Sequence, residues 1–564
     1  MTAGVERFAW AQPILSAGQA RDFEARLFGG DEVSEWAAMQ AAGRAVAEEA
    51  ASALAQAVLR DFERGGGFPK SGDRRPVCKR VRLLVLVGKG HNGGDALIAA
   101  ESILEKYTGV QSATSAQARA ELVFVFGERA LKPLAWRAWV RLQTRFPDRV
   151  QVLTERDLAE RVAAGEHYAL CLDGVFGFQF RPPLGERAAA MIAAANTLSV
   201  GLRVAVDLPS GWGEPGAFRA DFTYATGILK REALGLQNAG RLRFIDLGFF
   251  QNAEPEVHSL DRVITPDVLA PLRGWRDPHS DKRTQGHVFV LAGSREYPGA
   301  ALMCVLAALR SGAGLVTGFV PESLVAAFAA SVPEAIWVGW PETPSGGLAL
   351  EGEYLLRERL ARAGENCALV IGPGIGRERE TQVLVGEVLN AYSGSLPVLI
   401  DADALQLELL KNARGPLVLT PHAGEFRRLS GAAPDGAKPP SDDALRNFAR
   451  WTGALVVLKG PETRICDGLA ARNGESSAEG EGTFALPIYH SLFGGPVLSR
   501  GGTGDLLAGM IATQLARKPE QLWEATCRAV AWHGLAAEAL ERTQGAEAVR
   551  TTDLLNYLAP ALRQ

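Results

Sequence analysis

Two α/β domains in tandem are predicted for this chain, and three observations predict them. Short apolar runs rich in β-branched residues alternate with Ala- and Leu-rich stretches of helical spacing along most of the sequence. The alternation lapses over 250–286, a mixed polar stretch with four prolines, and then resumes. A length of 564 residues exceeds what one ordinary hydrophobic core organises. The pattern therefore predicts a first domain over 1–252, a linker and domain entrance over 253–285, and a second domain over 286–564.

The elements follow in order. An Ala-rich helix is expected over 33–60, with a face that could build an interface or pack on its own sheet. Strands are expected at 81–88 (VRLLVLVG), 121–127, 168–173, 202–207 and 242–247, with helices at 130–145 and 186–198. Each strand run is short and continuously apolar, as in a strand buried on both faces. Repeated βα units of this kind give a Rossmann-like, doubly wound parallel sheet. After the break, strands are expected at 287–293, 314–320, 368–372, 397–401, 416–420 and 454–459, then a helix-rich end over 504–562. The basic run 70–82 reads as a solvated insertion loop, and 468–485, rich in Gly, Glu and Ser, as a surface loop.

Composition excludes some functions. Lys and Arg number 60 against 64 Asp and Glu, a net charge of −4, which gives no global electrostatic case for nucleic acid or membrane partners. The six cysteines form no C-x-x-C pair and several sit in apolar runs, as expected for buried thiols in a reducing compartment. No signal-peptide pattern or apolar run of membrane-spanning length is seen, so a cytoplasmic protein is expected.

Chemistry-bearing residues gather at strand ends. "GKGHNGGDAL" (Gly88 to Leu97) follows a strand and opens a helix, a turn whose backbone N–H groups suit an anion. It lacks the G-x-x-x-x-G-K-[ST] pattern, so a P-loop is rejected. "CLDGVFG" ends a strand at Asp173, and "VAVDLPSG" ends one at Asp207, followed by Ser210. Any one of these acids alone would read as a helix N-cap. Three strand ends bearing Asn92 and Asp95, Asp173, and Asp207 with Ser210 suggest one site. Oxygen ligands alone suit a hard cation rather than zinc.

G-x-G-x-N-G-G-D, D-x-x-F-G, D-x-P-S-G, Lys230 and "GRLRFIDLG" (Gly240 to Gly248) together resemble the NAD(P)H-hydrate epimerase domain over roughly residues 10–250. The chain departs from that family's usual motif at His91 and Ala96. The resemblance implies a potassium ion held by Asn92, Asp173 and Ser210. It implies hydrate contacts from His91, Asn92, Gly93, Gly94 and Asp95, from the 177–183 segment beginning at Gly177, and from Asp207. It implies Asp207 or Asp173 as the acid/base, a choice left open here.

In the second domain, "SRGGTGDLLAGMIA" (Ser499 to Ala512) places Gly501, Gly502 and Gly504 at the start of an amphipathic helix, with Asp505 behind them. Bare N–H groups at a helix N-terminus stabilise a phosphoryl group in transfer. Asp505 either takes a proton from an acceptor hydroxyl or simply caps the helix. "IGPGIG" offers a second glycine turn, and "LIDADAL" puts Asp401 and Asp403 at a strand end. "LTPHAGEF" adds His422 and Glu425; Glu425 suits a carboxylate ordering Mg²⁺-bound water or a helix cap. "VVLKGPETRI" brings Lys459 and Thr463 to a strand end, suited to nucleotide phosphates.

As an ordered set, G-S-x(4)-G-A-A, G-P-G-x-G, D-A-D-A-L, T-P-H-x-G-E, K-G-x-x-T and G-G-T-G-D-x-L-x-G resemble the ADP-dependent NAD(P)H-hydrate dehydratase, which has a ribokinase-like fold, over about 280–562. The family's His-Lys-Gly segment before the first strand is absent from "SDKRTQG". The resemblance implies Asp505 as base, nucleotide contacts from Lys459, Gly460, Pro461, Glu462, Thr463 and Gly504, and hydrate contacts from Ala301, Gly376, His422 and Asp505. It also implies Mg²⁺, ADP as co-substrate, NADH hydrate and NADPH hydrate as substrates, and a homo-oligomer. Two rival readings compete: a small-molecule kinase of ribokinase type, and a first domain that only binds or dimerises.

Overall fold

A computed structural model describes residues 9–64, 80–107, 117–251, 261–411, 413, 415–431, 439–469 and 486–563. The expected insertion loop at 70–79, Cys78 and most of the expected loop at 468–485 lie outside the described residues. The chain divides into two units, Pro13–Glu256 and a second made of Val257–Gln564 with residues 1–12.

In the first unit, β1 (Ala11–Leu15) leads into α1 (Ala17–Phe28) and α2 (Glu32–Arg64). Next come β2 (Arg80–Val87), α3 (His91–Lys106), β3 (Gln117–Phe124), α4 (Pro133–Arg145), β4 (Val150–Val152), α5 (Glu155–Ala163) and β5 (His167–Gly174). The unit ends with α6 (Glu186–Thr197), β6 (Ser199–Val206), β7 (Phe222–Thr226), β8 (Leu229–Lys230) and β9 (Arg241–Ile245). Its parallel sheet has the order β4-β3-β2-β5-β6-β7-β9. Alternation along β2 explains the continuous apolar run: Leu83, Val85 and Val87 enter one core layer, Leu84 and Leu86 the other. The switch point falls between β2 and β5, so the turn after β2 and the end of β5 face one crevice. Beside it, Ile14 and Leu15 pair with Leu229 and Lys230.

The Ala-rich helix packs on its own unit. Trp36, Met39, Val46, Ala50 and Leu54 of α2 join the core layer of α3 and α4. Gly43 lets the two helices touch, since a Cβ there would meet Ile98 Cβ at 2.5 Å.

The second unit contains β10 (Arg262–Ile264), β11 (His287–Leu291), α7 (Pro298–Arg310), β12 (Leu315–Pro321), α8 (Val325–Ser331), β13 (Ile336–Trp340), α9 (Glu353–Leu360) and β14 (Cys367–Ile371). There follow α10 (Arg379–Tyr392), β15 (Val398–Ile400), β16 (Leu417–Leu419), α11 (Ala423–Ser430), α12 (Asp442–Thr452), β17 (Leu455–Leu458), β18 (Thr463–Asp467), β19 (Ile488–Ser491), α13 (Thr503–Arg517) and α14 (Leu522–Gln544). Its sheet runs β13-β12-β11-β14-β15-β16-β17-β18-β19-β10. Pairing is parallel from β13 to β17, antiparallel through β18 and β19, and parallel again at β10.

Part of the expected linker is core. Ile264, Val268 and Leu269 are fully buried with α13 and α14, and three such residues are too few to show a period. Trp10 also groups with this unit, its ring 5.2 Å from Trp523 and 6.1 Å from Tyr489. No helix among the described residues is long and apolar enough to cross a membrane.

Candidate active sites

The first site is a cavity of about 460 Å³ at the β2/β5 crevice. Asn92, Asp95, Gly177 and Asp207 line it together with Glu24, Phe178 and Lys230. Asp207 sits just past β6 with a φ of 68°, a left-handed conformation uncommon for a non-glycine residue. That turn aims its carboxylate at the cavity, where Oδ1 accepts a hydrogen bond from Lys230 Nζ at 2.5 Å and Oδ2 one from Phe178 N at 3.1 Å. Both partners of this ion pair are almost fully buried. Nearby acids are weakened: burial, with the charge of Asp207, pushes Asp95 well above the carboxylate range, and burial lifts Glu24 to about 7 against the pull of Lys230.

Asp173 lies behind this wall. It is fully buried and does not line the cavity. Its carboxylate accepts hydrogen bonds from Ser210 N (2.7 Å), Ser210 Oγ (2.6 Å) and Val175 N (3.2 Å). Burial raises its pKa to about 6 against those donors. Asn92 donates from Nδ2 to Val206 O at 2.8 Å. Its Oδ1 faces Gly177, where an added Cβ would stand 2.5 Å from it and 2.8 Å from Asp207 Oδ2.

Gly93 and Gly94 are buried and do not line the cavity. A Cβ on Gly93 would lie 2.1 Å from Gly88 O, and one on Gly94 2.4 Å from Met39 Sδ. These glycines let α3 start against β2 and α2. Ala96 is likewise buried, and it fits because Gly174 opposite has no Cβ. His91 stays exposed at the rim, 3.7 Å from Glu35. Sequence reasoning missed Glu24, as well as Lys89 and Lys132, exposed cations on the same wall. Glu24 lies on a helix before the first motif, so no spacing linked it to the site.

The second site surrounds the N-terminus of α13. Gly502 caps the helix at a φ of 89°, where a Cβ would strike Met303 Sδ at 2.4 Å. Leu506 N is the first to find a helical acceptor, Gly502 O, which leaves the N–H groups of Thr503, Gly504 and Asp505 without one in the helix. The cap position belongs to Gly502, and Asp505 stands three residues further on, inside the first turn, so it is not the cap residue. Burial first, then the charges of Asp401 and Asp403, raise its pKa to about 7, while Lys459 opposes them.

Lys459, at the end of β17, donates to Asp401 Oδ1 at 2.8 Å, and Thr420 Oγ1 donates to the same oxygen at 2.7 Å. A Cβ on Gly504 would lie 3.3 Å from Lys459 Nζ, so the ammonium group stands beside the free N–H groups. Gly460 to Glu462 form the turn between β17 and β18, closed by Thr463 Oγ1 donating to Gly460 O at 3.3 Å. Gly376 N donates to Asp403 Oδ2 at 3.3 Å, linking the "IGPGIG" turn to the Asp401–Asp403 turn.

His422 and Glu425 cap α11. His422 Nδ1 accepts from Gly424 N at 2.9 Å, and Glu425 Oε2 accepts from His422 N at 2.8 Å. The imidazole remains largely exposed. Ala301 is fully buried in α7, its Cβ 3.0 Å from where a Gly293 Cβ would sit. Its side chain thus supports the turn after β11.

Family comparison agrees with this division. Residues 37–232 match the family described as YjeF-related protein N-terminus, and 288–560 match NAD(P)H-hydrate dehydratase. The chain is 34% identical over 549 residues to a bifunctional NAD(P)H-hydrate repair enzyme Nnr of Gloeobacter violaceus, covering 93% of each chain. It is 32% identical to that of Thermosynechococcus vestitus, covering 87% of this chain and 90% of the other. A solved structure of the ADP/ATP-dependent NAD(P)H-hydrate dehydratase from Bacillus subtilis, co-crystallised with ATP/Mg²⁺, is 29% identical, covers 51% of this chain and 93% of its own, and has a TM-score of 0.41. With both family matches in sequence order and full-length relatives above 30% identity, the chain belongs to the family of bifunctional NAD(P)H-hydrate repair enzymes.

Proposed function

We propose that the first unit interconverts the R and S forms of NAD(P)H hydrate, and that the second dehydrates the S form to NAD(P)H with ADP as phosphoryl donor, giving AMP and phosphate. The observation that carries this reading is Asp505, a first-turn carboxylate with a pKa of about 7 beside the open helix N–H groups and Lys459.

Hydroxide is a poor leaving group from the hydrated nicotinamide ring. Asp505 takes the hydroxyl proton as the oxygen bonds to the β-phosphorus of ADP and the bond to AMP breaks. The N–H groups of Thr503 to Asp505 and Lys459 stabilise the charge on the transferring group. The ring nitrogen then expels phosphate, the neighbouring carbon loses a proton, and the reduced ring returns. Gly460 to Thr463 and Gly504 hold the nucleotide in this reading; Gly376 and His422 face the hydrate. Among the described residues, no cluster of acidic, His or Cys ligands able to cage a metal lies at this site, which suits a Mg²⁺ that arrives with the nucleotide phosphates. Bound there, Mg²⁺ would neutralise phosphate charge.

In the first unit, the proposed acid/base is Asp207, because it lines the cavity and Asp173 does not. Lys230 holds it in place with a hydrogen bond to Oδ1. Asp173, buried with only neutral hydrogen-bond donors, suits a monovalent cation shared with Asn92 Oδ1 and Ser210. A potassium ion there would neutralise that charge and brace the 173–177 turn. Lys89 and Lys132 at the rim suit the dinucleotide pyrophosphate. The five cysteines among the described residues are free and buried, which supports the cytoplasm as compartment. Self-association belongs to the same proposal, and sedimentation of the full chain tests it.

The deciding experiment follows absorbance of the reduced nicotinamide band with mixed-epimer NADH hydrate, Mg²⁺ and ADP. Complete recovery, faster than spontaneous epimer exchange, is expected. Recovery stopping at the one-epimer fraction would reduce the first unit to a binding module. No recovery would return the second unit to the small-molecule kinases.

A further inference from the structure

The second unit holds another cavity, of about 490 Å³, at the opposite end of its sheet from Asp505. Gln285 and Asn366 on its wall precede β11 and β14, whereas the candidate active-site residues follow strand ends. Gln514, Arg517 and Lys518 come from the last turn of α13 and its exit. Asp505 occupies the first turn of that 15-residue helix. A rise of about 1.5 Å per residue puts roughly 20 Å between the two sites.

The wall is cationic where it is buried. Arg528 is 8% exposed, and its Nε donates to Val268 O at 3.2 Å. No carboxylate of the described residues lies within ion-pair distance of Arg517 or Arg528; Glu524 offsets part of the Arg528 charge from farther away. Arg276 adds a third guanidinium, since Arg276 Nη2 and Arg517 Nη1 would lie 2.9 and 4.0 Å from a Cβ on Gly312. Burial and these like charges make the Arg517 guanidinium less basic than usual. The carbonyls ending α13 offset only part of that charge. Two acids also border the cavity. Asp277 accepts from His279 N at 2.8 Å, and Glu520 faces Lys518 at 3.9 Å on the exposed rim.

Two buried polar atoms are unmatched. Gln514 is 2% exposed and its Nε2 has no acceptor; Gln285 Oε1 has no donor. Leaving such groups unpaired is unfavourable, and a ligand with the complementary atoms would pair them. Two guanidinium forks and an amide donor match the several oxygens and double charge of a phosphate better than a single carboxylate. The volume suits a metabolite of sugar-phosphate or nucleotide size.

We infer that this cavity binds a small phosphorylated metabolite, its phosphate against Arg517, Arg528 and Gln514 Nε2, and a hydroxyl or N–H group against Gln285 Oε1. Titration calorimetry of the full chain with ribose 5-phosphate, and with ribose as control, tests it. Binding of ribose 5-phosphate alone is expected, unchanged in saturating ADP and Mg²⁺ and unchanged in Lys459→Gln. Arg517→Gln is expected to weaken it at least about tenfold. Should Arg517→Gln misfold, the wild-type experiment with and without ADP decides by itself. No heat up to about 10 mM ligand, a range that would reveal millimolar affinity, overturns the inference. So does displacement by ADP, or loss in Lys459→Gln with retention in a folded Arg517→Gln.

Discussion

Asp401 and Asp505 are coupled through their charges at the N-terminus of α13: a Cβ on Gly504 would lie 3.9 Å from Asp401 Oδ2, and the Asp401 charge adds to burial in lifting Asp505 to about 7. The two acids have different partners. Asp401 is paired with Lys459 and accepts a hydrogen bond from Thr420, while Asp505 sits in the first turn of α13 with its pKa lifted chiefly by burial. A pair of carboxylates held in unlike environments divides structural from chemical work.

The first prediction follows. Asp505→Asn keeps the volume and removes the base, so dehydration should fall by about 10²–10⁴-fold or more. Epimer exchange, followed by chromatography of the two hydrates, should continue at the wild-type rate. A variant that still regenerates NADH at full speed would remove Asp505 from its role.

The pH profile is the second. A base acts when deprotonated, so dehydration kcat/KM should rise with pH through about 7 and level off above it. Asp403 raises the Asp505 pKa, so Asp403→Asn should move this limb to lower pH. A limb that stays in place in the variant would mean that another group titrates.

Much of this arrangement was legible in the sequence, for a physical reason. Strands buried on both faces leave continuous apolar runs, so 81–88 and 287–293 match β2 and β11 closely. Motifs that need glycine at close approaches also show plainly. Less legible were strands such as β18, "TRICD", where buried and half-buried residues mix, and β10, a three-residue strand inside the expected linker. The roles of single residues were hardest to read. Gly93 and Gly94 allow close helix and strand packing that no spacing announces, and His422 is an exposed cap. Whether Asp173 or Asp207 meets the cavity depends on one left-handed backbone turn that no spacing reveals.

A third prediction tests the packing role of the glycine turn. Gly93→Ala puts a Cβ 2.1 Å from Gly88 O, a backbone atom that cannot swing aside. Overpacking of this kind costs about 1–3 kcal/mol. The first unit should unfold at lower temperature, and dehydration of pure S hydrate should persist at assay temperature. Unchanged melting with selectively raised KM for epimerisation would favour direct ligand contact.

The fourth prediction separates Asp207 from Asp173. Asp207→Asn removes the charge paired with Lys230 at the cavity wall and should abolish epimer exchange whatever the salt. Asp173→Asn removes a buried charge that has only neutral donors. Wild type should epimerise faster and melt higher in potassium chloride than in choline chloride. Asp173→Asn should lose that difference while keeping measurable epimerase activity. Equal behaviour of wild type in the two salts would overturn the cation role, and full activity of Asp207→Asn would pass the acid/base role to another residue on the cavity wall, with Glu24 the first to examine.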